Sequence, residues 1–112
     1  MAIFKVFRPE EWAAFDATGQ TPGAPIDIQD GFVHFSTASQ LRGTLALHFA
    51  DAPELKLLAC DDAVMAPHLL WEPSRGGQLF PHLYRELLAT DVLATHDIGW
   101  DGSLHLLPEG WS

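Results

Sequence analysis

Gly31-Phe32-Val33-His34-Phe35-Ser36-Thr37 spells out a strand running into a helix. Residues 32–36 have strand composition, and period-two geometry puts Phe32, His34 and Ser36 on one face with Val33 and Phe35 on the other. A helix is then expected to about Phe49. Gln40 follows Thr37 at capping-box spacing, and Ala38, Leu41, Leu45, His48 and Phe49 form its inward stripe.

Towards the N-terminus, residues 20–31 contain Pro22, Gly23, Pro25 and the Asp30-Gly31 turn signal, so they read mostly as loop with a short extended piece at residues 26–28. Before that loop, Pro9 suits the first position of a helix, and Glu10 and Glu11 suit the positive end of its dipole. Trp12 and Phe15 share one face of that helix, and Gly19 ends it. Residues 2–7 read as a first strand. Towards the C-terminus, the apolar run 55–60 reads as a buried strand and residues 69–72 as another. Residues 73–77, Pro-Ser-Arg-Gly-Gly, form a loop that Phe80-Pro81-His82-Leu83-Tyr84 leaves. Residues 85–94 have helical propensity, but 90–98 is read as strand, and Asp101-Gly102 predicts a closing hairpin between 98–100 and 104–107. Strands outnumber helices without regular alternation. The expected fold is therefore α+β, a curved or split, mostly antiparallel sheet with two or three helices, in a single domain over residues 1–112.

The chain has 112 residues, 47% of them hydrophobic, and a net charge of −9. That composition is globular, and the length suits one core that needs no staples. Six Lys and Arg against fifteen Asp and Glu leave no basic cluster for nucleic acid or an anionic membrane surface. No segment reads as a secretory signal or a bilayer span, so cytoplasmic residence is expected. The single cysteine, Cys60, excludes an intrachain disulfide and reads as a buried thiol.

Chemistry is expected in residues 31–37 and 71–84. His34 and Ser36 share a strand face just before a helix N-terminus, whose unpaired N–H groups suit a phosphate or carboxylate. His34 is placed to hydrogen-bond a ligand hydroxyl or move a proton, with Ser36 and Thr37 adding hydroxyls. The same residues also read structurally, as an N-cap beside a satisfied core histidine. In Trp71-Glu72-Pro73-Ser74-Arg75-Gly76-Gly77, a carboxylate stands at a strand end beside a glycine loop. Glu72 is a candidate base or ribose ligand and Arg75 a candidate anion ligand; a Glu72–Arg75 ion pair closing a turn is the alternative. His82 and Tyr84 would be polar tips on an aromatic pocket wall. No two histidines have compact metal spacing and Cys60 has no partner, so no metal ligands are assigned.

These residues resemble a known bacterial family. Residues 31–37, then Gln40-Leu41, Thr44-Leu45, Trp71-Glu72 and Arg75-Gly76-Gly77 through Tyr84, are similar to the family numbered 952 in the domain-of-unknown-function series. The resemblance runs from the first strand to about Val92. It implies an ADP-ribosyltransferase-like fold, in which a split antiparallel sheet grips NAD in a central cleft. By that resemblance His34 would hold an NAD ribose, and Glu72 would be the glutamate that stabilises an oxocarbenium-like state. The expected function is an enzyme acting on a ribosyl or nucleotide ligand such as NAD. A non-catalytic binding module using the same cleft is one alternative, and a metal-dependent hydrolase using scattered histidines is another.

Overall fold

The first strand, β1 (Ala2–Phe7), forms as expected, and its two faces enter different cores. Ile3 and Phe7 join Phe15, Val33, Phe35, Leu58 and Leu83, while Phe4 and Val6 join Leu41, Leu45, Leu57 and Ile98. Burying such side chains contributes roughly 1.5–3 kcal/mol each, before the entropy of ordering them. The structure is a computed structural model that describes residues 1–108, the Arg75 side chain excepted.

Helix α1 (Pro9–Thr18) starts at its proline; Glu11 reaches back to accept the Arg8 N–H at 2.9 Å, and Gly19 ends the helix. Residues 20–31 depart from the expected loop. They hold β2 (Gln20–Thr21) and a helix, α2 (Pro25–Asp30), where an extended piece was expected. Pro25 occupies the first helical position, Asp27 accepts the Ala24 N–H at 2.7 Å, and Gly31 closes the helix at φ 86°. This helix is inverted in polarity: Ile26 and Ile28 are 54% and 60% exposed, whereas Asp27 is 1% exposed. Its entry requires glycine, because a Cβ on Gly23 would collide with the Asp27 carboxylate.

The strand expected over 32–36 shortens to β3 (Val33–His34), and Ser36 adds one bridge to Phe4. Helix α3 (Ala38–His48) matches expectation, and the Thr37 N–H donates to Gln40 Oε1 at 3.0 Å. Its inward stripe needs correction at two positions. Leu41 and Leu45 are buried, but Ala38 and His48 are exposed. Gln40 is buried instead, its amide donating to the Leu79 carbonyl at 2.8 Å.

The remaining elements are β4 (Leu55–Asp61), the single turn α4 (Asp62–Met65), β5 (Leu69–Pro73), β6 (Leu79–Leu83), β7 (Leu87–Leu88), β8 (Val92–Trp100) and β9 (His105–Leu106). The strand reading of 90–98 therefore holds from Val92 onward, with residues 90 and 91 in a 3-10 turn, Ala89–Asp91. The closing hairpin pairs Trp100 with His105, and Asp101 Oδ1 accepts the Ser103 and Leu104 N–H groups. The described residues thus contain four helices rather than two or three, with short 3-10 turns besides.

All strand pairs are antiparallel. One sheet has the order β1-β4-β8-β9 and another β3-β6-β5, while β2 and β7 form a short ribbon. The Phe4–Ser36 bridge and the bond from Phe35 N–H to the Pro81 carbonyl stitch the larger two into one curled surface. Helix α3 packs on the face of β1 and β4 that carries Phe4, Val6, Leu57 and Ala59. Among the described residues, no helix is long and apolar enough to cross a membrane.

Candidate functional site

The curled sheet is split at one place. Phe4 and Ser36 exchange both backbone hydrogen bonds, at 2.8 and 2.9 Å. Continuing that antiparallel register would pair Val6 with His34, but two side chains take the His34 backbone instead. His34 N–H donates to Asp27 Oδ1 at 3.0 Å, and the His34 carbonyl accepts from Lys5 Nζ at 3.0 Å. Lys5 and Asp27 also meet each other at 2.7 Å, with side chains 6% and 0% exposed. A buried ion pair thus stands where two ladder rungs would be, and β3 swings away from β1.

The gap opens into a cleft of about 720 Å³. Phe4, Val6, Pro25, Phe35, Phe49 and Phe80 supply apolar wall, and Lys5, Asp27, His34, Ser36 and His82 supply polar groups. Its size and mixed lining are those of a small-molecule site.

Burial alone would raise the pKa of Asp27, but the His34 ring and the Lys5 ammonium overcome it and hold the carboxyl below its ordinary range. His34 Nδ1 lies 2.6 Å from Asp27 Oδ1, and its Nε2 lies 3.0 Å from Asp30 Oδ2. Of these two contacts, the one from Nδ1 to Asp27 is a hydrogen bond, and Asp30 lies beside Nε2 at the rim of the cleft.

His82 is held differently. Its Nδ1 lies 2.8 Å from Glu72 Oε1, which also accepts the Tyr84 hydroxyl at 2.6 Å. The Tyr84 and His82 hydrogen bonds hold Glu72 below the usual carboxylate range, and Glu72 in turn raises the Tyr84 pKa. The His82 ring stacks on Phe32, centroids 4.1 Å apart, and meets the His34 ring edge-on at 5.3 Å. The carboxylate at Nδ1 makes that nitrogen the donor, and His82 lines the cleft.

The residues expected from sequence divide accordingly. His34, Ser36 and His82 lie on the cleft wall, with Ser36 Oγ bonded to Thr44 Oγ1 at 2.7 Å. Glu72 and Tyr84 stand behind His82 and reach the cleft through its ring. Thr37 contacts Ser39 off the wall, and Trp71 projects from β5 on the face opposite Glu72. The Arg75 side chain lies outside the described residues. Lys5, Asp27 and Asp30 were not anticipated. The signal for Asp27 was present in Pro25-x-Asp27 followed by Gly31, a helix start and stop.

Comparison with known proteins agrees with the sequence blocks. The family model described as "Protein of unknown function (DUF952)" matches residues 6–95. The chain belongs to that family. A crystal structure of protein CC0527 from Caulobacter crescentus is similar to it, with 38% identity and a TM-score of 0.90, over 96% of this chain and 95% of that one. A crystal structure of a double mutant of CC0527 matches at 39% identity and TM-score 0.90, with the same coverage. The CC0527 solution structure matches at 38% and 0.82, over 93% of this chain and 90% of that one. No curated protein matches. These neighbours carry no ADP-ribosyltransferase description, and that fold-level assignment is left without support.

Proposed function

We propose that this is a small-ligand protein whose cleft takes a ribosyl or nucleotide compound, of which NAD is one candidate, and acts on it by acid–base chemistry. The observation that carries the reading is the pair of carboxylate-held imidazoles, His34 and His82, meeting on the wall of one mainly apolar cleft. His82 is the acid–base candidate, because it lines the cleft while Glu72 holds its Nδ1. Glu72 acts as a positioning residue, since its carboxylate contacts His82 and Tyr84 rather than the cleft. His34, held at Nδ1 by Asp27 with Asp30 beside Nε2, supplies a positioned ring edge. This gives Glu72 a different task from the oxocarbenium-stabilising one that the family resemblance implied.

A second reading, ligand binding without turnover, is favoured by one observation: both nitrogens of His34 lie within 3.0 Å of a carboxylate oxygen, which suits a holding role better than proton transfer. Among the described residues no three His, Cys, Asp or Glu side chains cluster to hold a metal. The hydrolase reading therefore has no ligand set to rest on.

The test is thermal melting with NAD, ADP-ribose, nucleotides and nucleosides. A ligand at a hundred times its Kd adds about 2.7 kcal/mol, a rise on the order of 10 °C for a domain of this size. If no such compound raises Tm at millimolar concentration, the reading fails. With a hit in hand, Glu72→Gln separates the two versions: turnover falls in an enzyme while affinity holds, whereas a binder shows a small affinity change alone.

A further inference from the structure

Beside the cleft, the outer edge of β1 carries an unused backbone pair. Phe4 exchanges both of its hydrogen bonds with Ser36, so its N–H and C=O point away from β4. Alternation then turns the N–H and C=O of Val6 and Arg8 the same way. Arg8 is satisfied: its N–H donates to Glu11 Oε1 at 2.9 Å and its carbonyl accepts from the Trp12 N–H at 3.0 Å. Val6 is not. Its register partner would be His34, whose backbone has been captured by Asp27 and Lys5. Among the described residues, Val6 N–H and C=O have no hydrogen-bond partner, and Val6 lines the cleft.

Backbone polar groups in such a place are rarely left unmatched. A residue in extended conformation presents its N–H and C=O side by side. The complement is a ligand edge with an adjacent acceptor and donor, as in a lactam or primary carboxamide. An anion would meet the carbonyl unfavourably, and a hydrocarbon would satisfy neither group. Phe49 and Phe80 on the wall suit a flat ring carrying such an edge.

We infer that Val6 N–H and C=O form the recognition edge of the cleft and select ligands carrying a lactam or carboxamide, such as the lactam edge of a nucleobase. This deepens the ribosyl reading above and rests on it. The lactam N–H donates to the Val6 carbonyl, and the adjacent ligand carbonyl accepts from the Val6 N–H. The Lys5–Asp27 pair is what keeps that edge free, by preventing His34 from zipping onto it.

The test uses the full-length protein labelled with nitrogen-15, titrated with uridine and inosine and with their ring-N-methylated counterparts, 3-methyluridine and 1-methylinosine. The Val6 amide signal is expected to move downfield and saturate with uridine or inosine. Blocking the ring N–H removes one bond and strands the Val6 carbonyl, so the methylated compound should bind roughly tenfold more weakly or worse. Equal affinity of the methylated and parent nucleosides overturns the inference, as does binding that moves the His34 and His82 signals but leaves the Val6 amide unmoved. In those cases the ribosyl reading still stands. If neither these nucleosides nor NAD and ADP-ribose move any cleft signal, both fall together. Val6→Pro supplies a second line, since the N–H it deletes is one the β1–β4 ladder does not use, although it also alters a buried core side chain and must be checked for folding. A folded Val6→Pro protein that binds uridine or inosine as the parent does also overturns the inference.

Discussion

Asp27→Asn strikes the group on which the split in the sheet depends. The Asp27 carboxylate is buried and accepts from Lys5 Nζ, the Ala24 N–H, the His34 N–H and the His34 ring. Asparagine offers one acceptor oxygen where two stood, and its amide N–H groups would face other donors. Lys5, 5% exposed, would keep its charge without a counter-ion. Removing one partner of such a pair costs about 3–5 kcal/mol, because the other is left charged and buried. With a urea slope of about 1.5 kcal/mol per molar, the unfolding midpoint should fall by about 2–3 M. Urea titrations of the parent, Asp27→Asn, Lys5→Met and the double variant complete a cycle. If Lys5 is the stranded group, the double variant recovers about 1–3 kcal/mol relative to the sum of the singles. A loss under about 1 kcal/mol for Asp27→Asn, or strict additivity, would refute a stabilising role for the buried Lys5–Asp27 pair.

Leu41 is 0% exposed in the core between α3 and the sheet, so Leu41→Ala should cost about 2–5 kcal/mol in urea unfolding; less than half a kcal/mol would mean that the site collapses or is not core. Acid should destabilise the fold through Asp27 and Asp91. Burial alone would raise both pKa values, but the hydrogen bonds from His34 and Arg85 and the charges of Lys5 and Arg85 leave both lowered. A carboxyl whose folded pKa is lowered contributes stability that is complete above its unfolded value and is lost as pH falls through the folded one. Melting temperature should therefore decline as pH drops below about 4, the ordinary Asp range; a Tm unchanged down to about pH 2 would contradict both assignments.

Much of the sheet was legible because its strands are bounded by turn residues and carry strand composition. Residues 55–60, 69–72 and 98–107 fall into place on that ground. The two chemical blocks converge in part because β3 and β6 are register partners, His34 opposite His82. Helix α2 was not legible by hydrophobic pattern, since that pattern assumes apolar residues turn inward. Here Ile26 and Ile28 face out, and the residue turned inward is a carboxylate. Tertiary charge pairing with Lys5, 22 positions earlier, decided the matter, and no local window contains both partners. The exposed Ala38 and His48 show a related limit. A stripe drawn at 3.6 spacing does not say how wide the covering surface is, and the neighbouring Leu79 carbonyl drew Gln40 inward instead.

The position of β1 between two later segments also bears on how the chain comes together. Its neighbour on one side, β4, lies about fifty to sixty residues downstream across the paired positions, and Ser36 on the other side follows Phe4 by about thirty. Because both of its neighbours come later in the chain, this strand is among the last of the described strands to find a full set of partners. High contact order of this kind slows folding, because a long loop must close before any pairing repays it. Until then Ile3, Phe4, Val6 and Phe7 have no strand beside them, and Lys5 is the one charge within that apolar run, a residue type that disfavours edge-to-edge pairing.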